Sequence, residues 1–277
     1  MTSPTATMKP VSRTAYYCCG VRALDAVAPR PICGDTLAER FMTPEAWALF
    51  QPFRGFPLPN ASNVVRHRII DDLLRARLAG RPDTGVLILG AGFDTRAFRL
   101  PAGRWVELDE PAVIALKDER LPAQDAANPL TRVPVSFERE SLAAVLAPFA
   151  QLAEPVVVLE GVLPYLTESQ VVELARAVRR TLDRPTLICD LTTRQFARRY
   201  GGPLRAKLSD LGAHFAPGGQ EYRDLIESAG FRLERRESII ARGAELGAYR
   251  VPRWLLATVF RRLRDGYAIG TFAPDAT

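Results

Sequence analysis

Apolar residues along this chain repeat with two different periods. From Val86 onward, short apolar runs, "VLILG" (86–90), "RWVEL" (104–108), "RVPVSF" (132–137), "VVVLE" (156–160) and "TLICD" (186–190), alternate with helical spacings near 110–120, 140–152 and 168–182. Strands covered on both faces read as such runs, so the alternation predicts a parallel sheet with helices on both sides. Thr167, followed three residues later by Gln170, marks the start of the last of these helices as a capping pair. Upstream, "SNVVRHRIIDDLLRARLAG" (62–80) has apolar residues at 64, 65, 69, 70, 73, 74 and 78, a helical period closed by Gly80. The Pro-rich "QPFRGFPLPN" (51–60) reads as a loop, residues 11–50 as helices around it, and the polar opening "MTSPTATMKPVSRT" as a frayed arm.

Beyond the fifth strand the alternation breaks. "GGQEYRDLIESAGF" (218–231) reads as a helix closed by Gly230, then come a charged strand, "RLERRESII", a helical stretch, "RWLLATVFRRLRD", and a final apolar piece, "GYAIGTF". A six-stranded, all-parallel dinucleotide sheet does not need this tail; a sheet whose last strand inserts antiparallel does. The expectation is one unit over 1–277, with a helical N-terminal cap (1–80) over the mouth of a Rossmann-like core (81–277).

Composition narrows the class. Hydrophobic residues make up 47% of 277, enough for a sizeable core. No run approaches the roughly 18 apolar residues of a membrane span. The four cysteines, Cys18, Cys19, Cys33 and Cys189, form no C-x-x-C pair. With only His67 and His214 beside them no metal site is expected, and a reduced, cytoplasmic protein is the simplest reading. The net charge of +6 is carried by arginine, since the lysines are Lys9, Lys117 and Lys207 alone. Its densest runs, Arg179–Arg180, Arg198–Arg199 and Arg261–Arg262, sit on amphipathic segments and read as solvated helix faces, so no nucleic-acid partner is expected. Oligomeric state is left open.

The turn after the first strand carries the candidate chemistry. Ligands of open α/β sheets bind beyond the carboxyl ends of the strands, where strand order reverses. "VLILGAGFDTRAFRL" puts Gly90 and Gly92 there, with no side chain to bar a ligand from the backbone. A dinucleotide fingerprint asks for a third glycine where Thr95 stands, and Asp94 sets a negative charge where pyrophosphate would lie. S-adenosylmethionine, a sulfonium with an amino group, a carboxylate and a ribose diol but no phosphate, fits better. Asp109 ends "RWVELDEP" on the strand face it shares with Glu107, at the position of a ribose-binding acid; its other reading is a cap for the next helix. Glu160 ends the fourth strand, where a buried carboxylate needs a cation, either the cofactor's amino group or an arginine.

In this order and at these separations, "LGAGFDTRAFRL", "ELDEPAVIALK" and "EGVLPYLT" resemble the leucine carboxyl methyltransferase family, including bacterial relatives that O-methylate polyketides and other small acids or phenols. The resemblance runs from about Val11 to the end of the fourth helix and weakens after Leu191. It implies a class I methyltransferase fold, a seven-stranded, mostly parallel sheet with an antiparallel last strand. Carried over by residue, it implies Gly90, Gly92 and Asp94 in the cofactor turn, Asp109 on the ribose and Glu160 on the methionine part. Arg66 would pair with the cofactor carboxylate, and Arg22 would lie near the cofactor. Arg66 also shares a helix face with Ile70 and Leu73, so its head can reach an enclosed anion along an apolar stem. One departure concerns adenine: the family has an acid and an apolar residue after the third strand, where this chain has Ser136 and Phe137. Serine still accepts a hydrogen bond from the adenine amine.

Methyl transfer from sulfonium is an in-line displacement that demands alignment above all. A carboxylate acceptor needs no base, whereas a phenol, with a pKa near about 10, asks for one or for a desolvating pocket. His67 lies about 100° around the helix from Arg66 and reads as a surface or packing residue. Tyr165 and His214, the latter in the Gly-rich "LGAHFAPGGQ", are the catalytic candidates. The expected function is S-adenosylmethionine-dependent O-methylation of a small acceptor. The alternatives are a nicotinamide-dependent oxidoreductase, a protein that binds the cofactor without turnover, and a nucleic-acid methyltransferase.

Overall fold

The computed structural model describes residues 8–216 and 219–275; residues 1–7 of the expected frayed arm lie outside the described residues, and residues 8–14 are not frayed, since Pro10–Arg13 is helical and Met8, Ser12 and Thr14 are buried. Seven strands, β1 (Gly85–Leu89), β2 (Arg104–Asp109), β3 (Leu130–Pro134), β4 (Val156–Leu159), β5 (Thr186–Thr192), β6 (Phe231–Ser238) and β7 (Tyr267–Pro274), form one sheet. Their order is β3-β2-β1-β4-β5-β7-β6; β1 to β5 pair in parallel, and β7 runs antiparallel to both β5 and β6. The mostly parallel sheet with an antiparallel last strand, expected from the alternation and its break, is present.

Strand order reverses at β1, which has β2 on one side and β4 on the other. Register then lines up the carboxyl rim. Leu89 pairs with Leu108, so the Gly90–Gly92 turn leaves the sheet beside Asp109. Leu159 pairs with Cys189, so Glu160 leaves it beside Asp190.

The longer helices are α1 (Ala15–Ala26), α2 (Pro57–Gly80), α3 (Pro111–Arg120) and α4 (Glu168–Thr181). Leu87, Leu89, Val106, Leu108, Val157 and Leu159 share a buried cluster with Val171, Ala175 and Val178 of α4. The alternate residues, Val86, Ile88, Trp105, Val156 and Val158, cluster with Val65, Ile69, Ile70, Leu74 and Leu78 of α2. Both faces are covered, which explains the near-continuous apolar runs. The capping box of α4 forms as expected, with Thr167 Oγ1 accepting from the Gln170 N–H and Gln170 Oε1 from the Thr167 N–H.

Several boundaries depart from expectation. The Pro-rich stretch is not a loop: Gln51–Phe53 is a 3-10 turn, and α2 already starts at Pro57, where a missing N–H costs no helical bond. The helix expected over 140–152 is Leu142–Leu146 followed by a 3-10 turn around Pro148. The stretch 253–265 divides into Arg253–Ala257 and Arg261–Arg264, and the helix expected over 218–231 covers Tyr222–Ser228, with residue 218 outside the described residues.

The segments before β1 meet the glycine turn at Phe93 and at Thr95, whose hydroxyl donates to Asp35 Oδ1 at 2.7 Å. Tyr16 and Phe41 each bring a ring centroid to 4.8 Å from that of Phe93, and Arg22 Nη2 donates to the Phe93 carbonyl at 2.6 Å. At the opposite end of the sheet, edge strand β6 exposes Arg232, Glu234, Arg235 and Arg236, charges that discourage further strand pairing. Arg180, Arg198, Arg199, Arg261 and Arg262 are exposed, as a solvated face requires. Among the described residues, no helix is long and apolar enough to cross a membrane.

Candidate active site

Gly90 and Gly92 take left-handed φ values of 70° and 48°, which glycine alone adopts freely. A β-carbon on Gly90 would stand 2.7 Å from Val162 Cγ2, and one on Gly92 3.3 Å from Ala15 Cβ. The turn thus lies closely between the segment after β4 and helix α1. Its geometry is held from β2, because the Gly92 N–H donates to Asp109 Oδ2 at 2.6 Å and the Glu110 N–H to Asp109 Oδ1 at 2.7 Å. Helix α3 has no side-chain cap, so Asp109 faces the turn rather than capping the next helix. Burial raises its carboxyl to about 6, against the pull of those two backbone donors. Each of its oxygens retains a further lone pair. Glu107, two residues earlier, is a structural partner of Lys117 Nζ (2.8 Å) and Arg132 Nε (2.9 Å).

Across the switch point lies a buried ionic network that sequence reasoning found only in part. Arg96 is its centre: its Nε meets Asp71 Oδ1 at 2.6 Å, its Nη2 meets Glu160 Oε2 at 2.8 Å, and its Nη1 pairs with Asp94. Arg66 Nε reaches Glu160 Oε1 at 3.1 Å, while its Nη1 reaches Asp190 Oδ2 at 3.5 Å and the Tyr267 hydroxyl at 3.1 Å. Arg99 joins Asp71 to Asp35, and Arg22 pairs with Asp35 at 3.3 Å. Burial would raise the Glu160 carboxyl, but the charges around it, Arg96 foremost, hold it well below the usual range. The arginine reading of Glu160 is therefore the one seen, and two arginines share it.

His67 is neither a surface residue nor an apolar packing residue: it is fully buried inside this network. Arg99 Nη2 lies 2.9 Å from its Nε2 and Arg96 Nη2 lies 2.8 Å from its Nδ1, so a guanidinium donor faces each ring nitrogen. Glu160 Oε2 also lies 3.2 Å from its Nδ1. Burial and the Arg96 charge lower its pKa, so it stays neutral at neutral pH. One donor atom each from His67, Asp94 and Glu160 lie within 4.8 Å of one another, a spacing that suits a metal. Arg96 pairs with both carboxylates and supplies the positive charge there instead. Asp35, Asp71, Arg96 and Arg99 were missed as site residues. The available signal was spacing: His67 and Asp71 at i, i+4 on α2, and Arg96 and Arg99 at i, i+3 after the turn.

The remaining candidates divide. Tyr165 stands at the rim, its hydroxyl 3.4 Å from Thr14 Oγ1 and its ring stacked on Phe215 at 5.1 Å; burial pushes its phenol up to about 12. His214 is exposed, and residues 217 and 218 of its loop lie outside the described residues. Ser136 and Phe137 follow β3; the Ser136 N–H donates to Glu140 Oε1 at 2.8 Å, and Phe137 is 42% exposed. Arg22 supports the turn from beneath, through Phe93 and Asp35.

Comparison with known proteins identifies the family of the chain. The family model for leucine carboxyl methyltransferase matches residues 15–179. The tetracenomycin polyketide synthesis O-methyltransferase TcmP of Streptomyces glaucescens is 30% identical over 241 residues, covering 84% of this chain and 85% of that one. A provisionally named S-adenosyl-L-methionine-dependent methyltransferase of Parafrankia sp. is 35% identical over 185 residues, and the match spans 61% of this chain and 59% of that relative. Among solved structures, a provisionally named methyltransferase from Thermobifida fusca superimposes with a TM-score of 0.54 at 18% identity, covering 90% of this chain and 100% of that one, a likeness of fold. With the family's segment matched over more than half the chain and a relative aligned along most of its length, the chain belongs to the leucine carboxyl methyltransferase family.

Proposed function

We propose that this S-adenosylmethionine-dependent methyltransferase delivers its methyl group to an oxygen of a small organic acceptor. The observation that carries this reading is the pair of acids at neighbouring strand ends, Asp109 bound to the Gly92 N–H and Glu160 bound to Arg66, on either side of the Gly90–Gly92 turn. When bound, the cofactor supplies an electrophilic methyl on a sulfonium. The chain's residues do the rest. Asp109 has lone pairs left for a ribose diol, Gly90 and Gly92 leave backbone room, and Ser136 and Phe137 flank the adenine. Arg66 and Glu160 exchange part of their mutual pairing for a carboxylate and an amino group. Tyr16, Phe41 and the rest of the cap exclude water from the rim.

A carboxylate acceptor is favoured over a phenol. His67 has both ring nitrogens engaged, Tyr165 holds its proton, and His214 is exposed, so none of these three is placed as a general base. An acceptor that arrives ionised needs none. The Streptomyces relative, named for polyketide synthesis, brings polyketide-type metabolites into the proposal as a class. Incubation with methyl-labelled S-adenosylmethionine and a panel of carboxylic acids and phenols, read by mass spectrometry, tests it. Label is expected in methyl esters of one or more acids. Cofactor binding without transfer to any acid or phenol would favour the reading as a non-catalytic binding protein.

A further inference from the structure

A buried charge is tolerable only where partners hold it, so the partners of Arg66 show how it is aimed. Helix α2 packs through Val65, Ile69 and Ile70 on the sheet face that carries Ile188 of β5 and Ile269 of β7. Asp190 follows Ile188 by two residues and Tyr267 precedes Ile269 by two, so both point to that same face. Asp190 pairs with Ile269 and Thr192 with Tyr267, which makes Asp190 and Tyr267 diagonal neighbours across the ladder. Because β7 is antiparallel, its first residue, Tyr267, comes to the carboxyl end of β5. There the Tyr267 hydroxyl accepts from Arg66 Nη1 at 3.1 Å and donates to Asp190 Oδ2 at 3.4 Å, and Asp190 Oδ2 lies 3.5 Å from the same Nη1. Asp190 Oδ1 takes the Gly161 N–H at 2.7 Å, as Asp109 takes that of Gly92. Gly161 has a φ of 72°, and a β-carbon on it would stand 3.3 Å from both Nη1 and Nη2 of Arg66, so the guanidinium lies close over this backbone.

Two nitrogens of the guanidinium are thus committed. Nε faces Glu160 and Nη1 faces Tyr267 and Asp190, whereas Nη2 meets, among the described residues, the half-buried Cys18 thiol at 3.8 Å, a weak acceptor. An N–H pair left with so soft a partner is the edge suited to a carboxylate. We propose that Asp190 and Tyr267 are positioning residues, which hold Arg66 at the rim so that its Nη2 edge takes the carboxylate of the cofactor's methionine part. The proposal rests on the methyltransferase reading above and adds the groups that act through Arg66. When the cofactor's amino group draws on Glu160, Arg66 loses part of its pairing, and Asp190 and Tyr267 keep the guanidinium in place. Burial pushes the Tyr267 phenol well above its ordinary pKa, so it retains the proton it donates to Asp190. The last strand does more than complete the sheet: it supplies one of the two groups that aim Arg66.

Two probes separate aim from general support: S-adenosylhomocysteine, and its decarboxylated analogue, which keeps the nucleoside, thioether and amino group but lacks the carboxylate. In calorimetric titrations of the full chain, the wild type is expected to bind S-adenosylhomocysteine at least about tenfold more tightly than the analogue. Tyr267→Phe, which removes one hydroxyl, should weaken S-adenosylhomocysteine about three- to tenfold and leave the analogue unchanged, and Asp190→Asn should do the same. In an Arg66→Met background, Tyr267→Phe should have no further effect on either probe. Equal losses for both probes, no loss for either, or an undiminished effect of Tyr267→Phe in the Arg66→Met background overturns the positioning role. Thermal melting of each variant reports its fold, and unfolding of both single variants would make the pair structural and overturn the role likewise. Failure of the wild type to bind S-adenosylhomocysteine counts against the methyltransferase reading itself, whereas binding that does not distinguish the two probes counts against the positioning alone.

Discussion

Arg96 shows how a fully buried guanidinium makes a carboxylate-rich rim tolerable. A group that does not lose its proton in proteins pairs with Asp71, Asp94 and Glu160 at once through its planar fork, while Arg99 and Arg66 supply further positive charge to Asp71 and Glu160. Removing one partner of such a set strands the others. Arg96→Met is therefore expected to lower unfolding stability by about 3–5 kcal/mol, and an unchanged urea midpoint would contradict the network. Asp109 carries a second prediction. Its folded-state carboxyl is raised to about 6, above its unfolded value, so its own contribution to stability is present at low pH and is lost as pH rises through about 6. Binding a ribose diol asks for the opposite, because the ionised form is the better acceptor of two hydrogen bonds. Affinity for S-adenosylhomocysteine should accordingly fall as pH drops from about 7 to about 5, with proton release on binding, and Asp109→Asn should flatten that dependence. A profile identical in the variant would return Asp109 to a purely structural role.

At the scale of elements, the turn after β1 has little freedom. Gly90 combines a φ of 70° with a β-carbon position 2.7 Å from Val162 Cγ2. Gly90→Ala should cost about 1–3 kcal/mol through backbone strain and also weaken cofactor binding. Adding Val162→Ala should relieve the contact but not the φ, so recovery should be partial. A variant that melts like the wild type would show that the turn is softer than its packing implies. The strands were legible because burial on both faces leaves apolar runs, and the capping box of α4 because two side chains settle it locally. The start of α2 was not, since Pro57 and Pro59 read as breakers unless the helix is known to begin there, where a first turn accepts them.

Taken as a whole, the molecule places its most telling residues where three segments distant in sequence meet. The positions of Gly90, Gly92, Asp109 and Glu160 along the rim followed from strand order, and the family resemblance supplied Arg66. What could not be read is the pairing: nothing local tells that Arg96 joins Asp71 to Glu160, that His67 sits between Arg99 and Glu160, or that Phe93 anchors the cap through Tyr16 and Phe41. Arginine, read from composition as surface charge, divides into an exposed set on the outer helices and a buried set at the rim, a distinction made by tertiary contact alone. Calorimetric titration of the full chain with S-adenosylhomocysteine, run beside NAD and ADP, tests the central claim most directly. One saturable site for S-adenosylhomocysteine and no heat from either phosphate-bearing nucleotide is the expected result. Binding of NAD or ADP at that site, or neither heat nor a thermal shift with millimolar S-adenosylhomocysteine, would contradict it.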